Sequence, residues 1–313
     1  MISRSTLPQH SKAQAFFRLA IAALLMVLAF ALGSCSGGTT ADQAKRGAPP
    51  NPLFYEIARD DGLARGWMLG TIHALPDDTE WRTPAITAAV DTADRLIVEV
   101  AELGDGATSA QVFQELALTP GLPPLAERLA PQYREHVSQL AAKAGLTLTQ
   151  QQRTESWAAA LMLARVNAAG DPANGVDRAL IGDFAQRPIR ELEGTRGQLG
   201  LFDRLPEADQ RRLLLAVVTA SAQGPTEAEA LRAAWLSGDL LALERASTQG
   251  IMADPRLRAA LLVDRNHRWV PLIERELQAS GRPLIAVGAA HLVGPEGLVA
   301  LLEQRGWRLR RLI

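Results

Sequence analysis

The pattern of apolar and polar positions over residues 53–103, the first part of the predicted domain, indicates strands that alternate with a helix. The apolar runs "LFYEIA" and "GWMLG" flank the polar "RDDGLAR", which predicts a hairpin with its turn at Asp60–Gly62. The segment "TPAITAAVDTA" predicts a helix with Thr83 as its N-cap and Pro84 in its first turn. The following "RLIVEV", rich in β-branched residues, predicts a strand over residues 95–100.

The middle of the chain, residues 108–280, has apolar residues at the three- and four-residue spacing that is typical of helices. Its segment "TESWAAALMLARVNAAG" predicts a helix capped by Thr154 and ended by Gly170. Only "PIRELEG", residues 188–194, reads as a strand. We therefore expect a large helical insertion.

The end of the chain, residues 282–313, returns to the first pattern. "RPLIAVG" predicts a strand, "GPEGLVALLEQRG" a helix that Gly306 ends, and "WRLRRLI" a last strand. Both ends of the domain thus contain a strand, Gly-x-x-His, a loop, a helix and a strand. The fold class that follows is α/β, with a central sheet built from these two units and a large helical middle.

Residues 1–34 have the composition of a lipoprotein signal peptide. Their only charged residues are Arg4, Lys12 and Arg18, and the wholly apolar residues 19–32 are short for a membrane span. The sequence "LGSC" then predicts cleavage before Cys35 and lipidation of this cysteine, the only one in the chain. An ordinary secretory signal or a single anchor helix is the alternative.

Residues 35–52 are small, polar and rich in Gly and Pro, which predicts a lipidated cysteine followed by a flexible tether. Ser36 after the cysteine resembles the sorting signal for the outer membrane of Gram-negative bacteria, so we expect a lipid-anchored protein facing the periplasm. Loss of the three basic residues before Cys35 takes the net charge from −1 to about −4. No basic run indicates nucleic acid as a partner.

Two of the five histidines, His73 and His291, each follow a predicted strand through a short glycine turn. The carboxyl ends of strands are where open α/β sheets bind ligands, and Gly70 and Gly288 permit a tight turn or a close backbone approach. Histidine is the commonest transition-metal ligand, so the pair predicts a metal site. The alternative for either residue is a histidine that only binds loop carbonyls.

A catalytic metal usually has three protein ligands and an open position, so carboxylates must complete the set. Glu99, in the strand after His73, is the first candidate, and Glu193 at the end of "IRELE" is the second. Asp177 is either a further acid or an ordinary first-turn helix residue. Arg265 is either a clamp for a substrate or carboxylate, or part of a surface ion pair.

The other histidines have simpler interpretations. His10 lies in the predicted signal, His136 on a solvated helix face, and His267 on a long helix as a packing or surface residue. The chain has no G-x-S-x-G, H-E-x-x-H, phosphate-loop or dinucleotide-binding motif.

The motifs "GTIHALP", "RLIVEV", "NGVDRAL", "IRELEGTRGQLGLFDRL" and "DRNHRW…VGAAHLVGPEGL" resemble the TraB/GumN family, also called TraB/PrgY/GumN, which includes the animal TIKI metalloproteases. The resemblance covers residues 53–312 and implies a fold akin to erythromycin esterase and ChaN-like proteins. It also implies a divalent-metal site at His73, His291 and Glu99, while Asn266 and Glu193 match family positions of less clear role.

The leading hypothesis is a lipid-anchored, peptidase-like hydrolase that uses manganese, cobalt or zinc. His73, His291 and Glu99 would hold the metal, with Glu99 as third ligand or general base, and Arg265 would orient the substrate. The alternatives are a non-enzymatic lipoprotein that binds haem or metal, and an envelope assembly protein whose helical middle binds a partner.

Overall fold

The computed structural model describes residues 49–102, 106–166, 168, 170–222 and 226–313. The predicted signal peptide, Cys35 and nearly all of the predicted tether lie outside these residues.

The described residues form one six-stranded sheet with the strand order β4-β3-β5-β2-β1-β6. Strands β4, β3, β5 and β2 are parallel, and β1 runs antiparallel between β2 and β6. This arrangement confirms the predicted α/β class. The strands are β1 Phe54–Ala58, β2 Ala64–Thr71, β3 Arg95–Val98, β4 Ile189–Glu191, β5 Pro283–Gly288 and β6 Arg308–Arg311.

Helices surround the sheet and form most of the middle of the chain. The α-helices of the described residues are α1 Pro84–Thr92, α2 Gly106–Ala117, α3 Leu125–Arg128, α4 Arg134–Lys143, α5 Leu148–Gln151, α6 Ser156–Ala164, α7 Val176–Asp183, α8 Gly194–Asp203, α9 Glu207–Ser221, α10 Thr226–Ser237, α11 Leu240–Ala246, α12 Pro255–Arg258, α13 Asp264–Gln278 and α14 Leu298–Glu303. A π-helical turn, Ala259–Val263, joins α12 to α13.

Several predicted element ends are confirmed. Gly62 has φ +73° in the turn between β1 and β2, where a residue with a side chain would be strained. The hydroxyl of Thr83 accepts a hydrogen bond from the amide of Ile86 at 3.2 Å and so caps α1. His267 is exposed on α13.

Other predicted ends are wrong. Helix α6 begins after Glu155, because the hydroxyl of Thr154 instead donates to the carbonyl of Gln150 in the preceding turn. The helix ends at Ala164, well before Gly170. Helix α14 begins only at Leu298, because Gly294 has φ +75° and leaves the helical conformation.

The molecule has two main hydrophobic cores. One surrounds the sheet, and β3 and β5 are buried along their whole length within it, as expected for parallel strands that are covered on both faces. The buried residues of the other all lie between Val112 and Leu262, in the helical middle. The helical middle is therefore a packed layer with a core of its own.

Candidate active site

Four titratable side chains lie just beyond the carboxyl ends of four parallel strands. His73 follows β2, Glu99 follows β3, Glu193 follows β4 and His291 follows β5. Because parallel strands end at the same edge of a sheet, the fold brings together residues that are far apart in the sequence. Arg265, at the start of α13, lies among them.

His73 forms a buried pair with Asp177, the second residue of α7. The Nδ1 of His73 lies 2.7 Å from Oδ2 of Asp177, and the two side chains are 8% and 6% exposed. The other carboxylate oxygen accepts a hydrogen bond from the Thr71 hydroxyl at 2.8 Å. A carboxylate only accepts hydrogen bonds, so Nδ1 of His73 carries the proton.

The backbone holds this pair in register. The amide of Val176 donates to the carbonyl of Ile72 at 3.0 Å, which ties the start of α7 to the end of β2. A Cβ on Gly175 would lie 2.5 Å from the carbonyl oxygen of His73, so only glycine allows this approach. The closeness of the two backbones sets the distance between His73 and Asp177.

The Nε2 of His73 faces a small gap beside Gly288. A Cβ added to Gly288 would lie 3.6 Å from this nitrogen and 3.3 Å from Oε1 of Glu99. No protein atom in the described part of the chain forms a hydrogen bond with Nε2. When the ring is neutral with its proton on Nδ1, the lone pair of Nε2 points into the gap, which is the arrangement of a general base.

Glu99 is buried and both of its carboxylate oxygens are bound. Oε1 accepts from the amide of Gly288 at 2.8 Å. Oε2 accepts from Nη2 of Arg265 at 2.6 Å and from Nε2 of Gln198 at 3.0 Å. Burial alone would raise the pKa of Glu99, but the cation of Arg265 and the amide of Gly288 lower it to about 2.

Arg265 joins two carboxylates inside the protein. Its Nη2 contacts Glu99 and also lies 2.9 Å from Oε2 of Glu193, and its Nε lies 3.1 Å from Oε1 of Glu193. Its side chain is 3% exposed. Arg265 is thus a buried carboxylate clamp and not part of a surface ion pair.

A local distortion of the helix accompanies this placement. The π-helical turn Ala259–Val263 directly precedes α13, and the carbonyl of Leu261 accepts a hydrogen bond from Nη1 of Arg265 at 3.0 Å. Single π turns within helices are frequent at functional sites, because they redirect side chains. The turn precedes Arg265 and Asn266, which both reach into the site.

His291 has protein partners on both ring nitrogens. The side-chain amide of Asn266 donates to the carbonyls of His291 and Glu296, at 3.3 and 2.7 Å, so its oxygen is the atom that lies 2.6 Å from Nδ1 of His291. Nδ1 is therefore the donor, and Nε2 accepts from Nη1 of Arg265 at 3.2 Å. Burial and the nearby Arg265 cation lower the pKa of His291 to about 3, so the ring is neutral.

These contacts do not fit the three-ligand metal centre that the family resemblance implies. Nε2 of His291 faces a guanidinium, and this ring presents a carbon, Cδ2, to the gap beside Gly288. The described residues include no group of three or more His, Cys, Asp or Glu side chains arranged to hold a metal. Among the described residues, only His73 and Glu99 turn an atom that could ligate a metal, Nε2 and Oε1, towards the gap. The metal site remains a prediction from the sequence.

The charges around His73 favour its protonated form. Burial alone would lower the pKa of His73, but the carboxylate of Asp177, helped by that of Glu99, raises it above its usual value. His73 is therefore a stronger base than His291, although both follow Gly-x-x-His sequences. This difference comes from their partners, an anion in one case and a cation in the other.

An apolar pocket opens beside His73. The pocket is open to solvent, and its empty space together with this open part amounts to about 480 Å³. Its walls come from the ends of β2 and β5, from the segment after β5, and from α10 and α11. The lining residues are Thr71, Ile72, His73, Leu231, Trp235, Leu243, Ala246, Gly288, Ala289 and Ala290.

Sequence reasoning missed several contributors to the site. The sequence alone does not separate Asp177 from an ordinary first-turn helix acid, gives no signal for Gln198 and assigns no role to Asn266. His136, which was expected on a solvated face, is half-buried, with Nε2 2.8 Å from the hydroxyl of Ser221. The available signal for Asp177 was its position two residues after Gly175, as an acid in the first turn of a helix.

The fold and the site define an α/β protein with a buried His–Asp pair and an Arg–Glu cluster at the carboxyl edge of its parallel strands. The sequence profile of the TraB/PrgY/gumN family matches residues 53–311, and the chain belongs to this family. No curated protein and no solved structure matches the chain. Among the described residues, no helix has the length and apolar character needed to cross a membrane.

Proposed function

We propose that this protein is a hydrolase in which the His73–Asp177 pair activates water. The observation that carries the proposal is the state of His73: Nδ1 is bound to a carboxylate at 2.7 Å, and Nε2 is free beside an apolar pocket. A histidine oriented by an acid, with one free nitrogen in a cleft, is the usual arrangement of a general base.

The reaction balances with water as the only co-reactant. Nε2 of His73 takes a proton from water while the water oxygen bonds to the carbonyl carbon of an ester or amide. The bond to the leaving group then breaks, and the imidazolium returns its proton to the leaving oxygen or nitrogen. Asp177 stabilises the imidazolium between these two steps, because its carboxylate binds the Nδ1 proton.

The Arg265 cluster positions the opposite wall of the gap. Glu99 is held by Gly288, Gln198 and Arg265, and its charge adds to that of Asp177 at His73. Arg265 has its donors directed at protein acceptors, so it acts on the site through Glu99 and His291.

The metal-dependent alternative rests on the gap between His73 and Glu99. It requires His291 to leave Arg265, and haem ligation by both histidines requires the same displacement. Lipid attachment at Cys35, with a periplasmic location, remains part of the proposal and concerns residues outside the described part of the chain.

Replacement of the base tests the proposal. In the full chain purified in mild detergent, we expect His73→Gln to lower kcat/KM for p-nitrophenyl esters by about 10²- to 10⁴-fold, the usual contribution of a general base. His267→Gln is the matched control, because His267 is exposed and distant in sequence from the pair. Activity of His73→Gln within a few-fold of the parent would overturn the proposal.

A further inference from the structure

The pocket beside His73 has an almost wholly apolar wall. Leu231 and Trp235 of α10 and Leu243 and Ala246 of α11 face the ends of β2 and β5 across it. Among its lining residues, His73 is the only one with a titratable side chain. An ionic or strongly polar ligand group would thus find no charged partner there other than His73.

Apart from Nε2 of His73, the polar side-chain atoms of the wall are already bound within the protein. The indole nitrogen of Trp235 donates to the carbonyl of Gly70 at 2.8 Å, in a buried contact. The Thr71 hydroxyl donates to Asp177. A polar ligand group in this pocket would lose its hydrogen bonds to water without replacing them. The wall of the pocket therefore favours an aliphatic ligand group over a polar one.

The pocket lies next to the gap at Nε2 of His73, so a hydrocarbon group bound in it would be adjacent to the reacting atoms. His73 and Gly288, which border the gap at Nε2, are also among the residues that line the pocket. The leaving atom of a substrate must lie near Nε2, because it receives its proton there. A substrate whose scissile carbonyl lies at Nε2 can therefore extend its acyl group along the apolar wall.

We propose that this pocket binds the aliphatic acyl chain of an ester or amide substrate. The inference rests on the proposed function and deepens it by naming the substrate class. Each methylene that enters the pocket should raise kcat/KM about fourfold until the pocket is full. Short acyl groups, which barely enter it, should be poor substrates.

The test compares chain-length profiles. We would measure kcat/KM for p-nitrophenyl esters from acetate to decanoate, using the parent, Leu231→Trp and Leu241→Trp. Leu231 lines the pocket on α10, whereas Leu241 is 67% exposed on α11 and does not line it, which makes it the matched control. We expect Leu231→Trp to lose the gain for longer chains and Leu241→Trp to keep the chain-length profile of the parent.

A binding measurement separates this inference from the proposed function. Octanamide is neutral and avoids repulsion by Asp177 and Glu99, and its binding to His73→Gln protein can be followed by calorimetry without turnover. We expect His73→Gln protein to bind octanamide. Addition of Leu231→Trp should weaken this binding at least tenfold, and addition of Leu241→Trp should leave it unchanged. Propionamide, whose acyl chain is short, should bind poorly with or without the Leu231→Trp substitution.

Each outcome decides one claim. Ester turnover without a chain-length preference would overturn the acyl pocket and leave the hydrolase intact. Octanamide binding that depends on Leu231, without turnover of any ester, would support the pocket and contradict the hydrolase. If the protein shows neither octanamide binding nor ester turnover, both claims are overturned. If Leu231→Trp fails to fold, Ala246→Leu, in the part of the same wall that α11 supplies, takes its place with the same expected loss.

Discussion

The chemistry of each histidine depends on which of its ring nitrogens is free. His73 and His291 follow strands that pair directly with each other, and both come three residues after a glycine. His73 donates to an acid and keeps Nε2 open, while His291 has Asn266 on one nitrogen and Arg265 on the other. Under the proposed function, the repeated motif therefore supplies one base and one structural residue.

Removal of the charge on Asp177 should change the pH dependence of the reaction. Asp177 raises the pKa of His73, so Asp177→Asn should lower this pKa while the amide oxygen still accepts from Nδ1. Because the unprotonated base is active, the rising limb of kcat/KM against pH should move to lower pH, and the plateau should fall. A limb that stays in place or moves to higher pH would contradict the role of Asp177.

Gly288 tests the gap between His73 and Glu99. In Gly288→Ala the new methyl group would lie 3.3 Å from Oε1 of Glu99 and 3.6 Å from Nε2 of His73, where the attacking water must enter. We expect the loss of most esterase activity, with a thermal midpoint close to that of the parent. Gly182→Ala is the control, because a Cβ there meets no atom within 4 Å. Full activity of Gly288→Ala would show that the gap is not the reaction site.

At the scale of elements, α13 is the part that organises the Arg–Glu cluster. Its first turn supplies Arg265 and Asn266, and Trp269 one turn later packs on the ring of His291, with 4.4 Å between ring centroids. The π turn before α13 adds a carbonyl that binds Arg265. One helix thereby connects the ends of β3, β4 and β5.

Loss of Arg265 should therefore destabilise the whole protein. Arg265→Ala would leave two buried carboxylates without their cation, which typically costs about 3–5 kcal/mol in the free energy of unfolding. Urea denaturation followed by circular dichroism measures this change. Arg268→Ala is the control: Arg268 is 52% exposed and 3.9 Å from Glu193, so its loss should cost only about 0–1 kcal/mol. Equal effects of the two substitutions would contradict the importance of the buried cluster.

At the scale of the whole molecule, the sheet supplies the site and the helical middle supplies part of its cover. Parallel strands collect His73, Glu99, Glu193 and His291 at one edge. Helices α10 and α11 provide the wall of the pocket opposite that edge.

Much of this architecture follows from local sequence. The apolar runs that end in glycine predict β2 and β5, and their pairing places His73 and His291 at one edge as expected. The contact between His73 and Asp177 spans 104 residues and depends on how α7 packs, which no local pattern reveals. The π turn is also hidden, because "AALLV" has ordinary helical spacing. The protonation of His291 depends on Asn266 and Arg265, which only the folded chain brings to it.

The most direct test of the account measures metal content and activity in the same sample. The full chain would be treated with a chelator, its metal counted by mass spectrometry, and kcat/KM measured for p-nitrophenyl butyrate. The account predicts that protein without metal keeps its activity, because His73 and Asp177 supply the base. Activity that disappears with the metal and returns with manganese, cobalt or zinc would contradict the account and restore the metal centre predicted from the sequence.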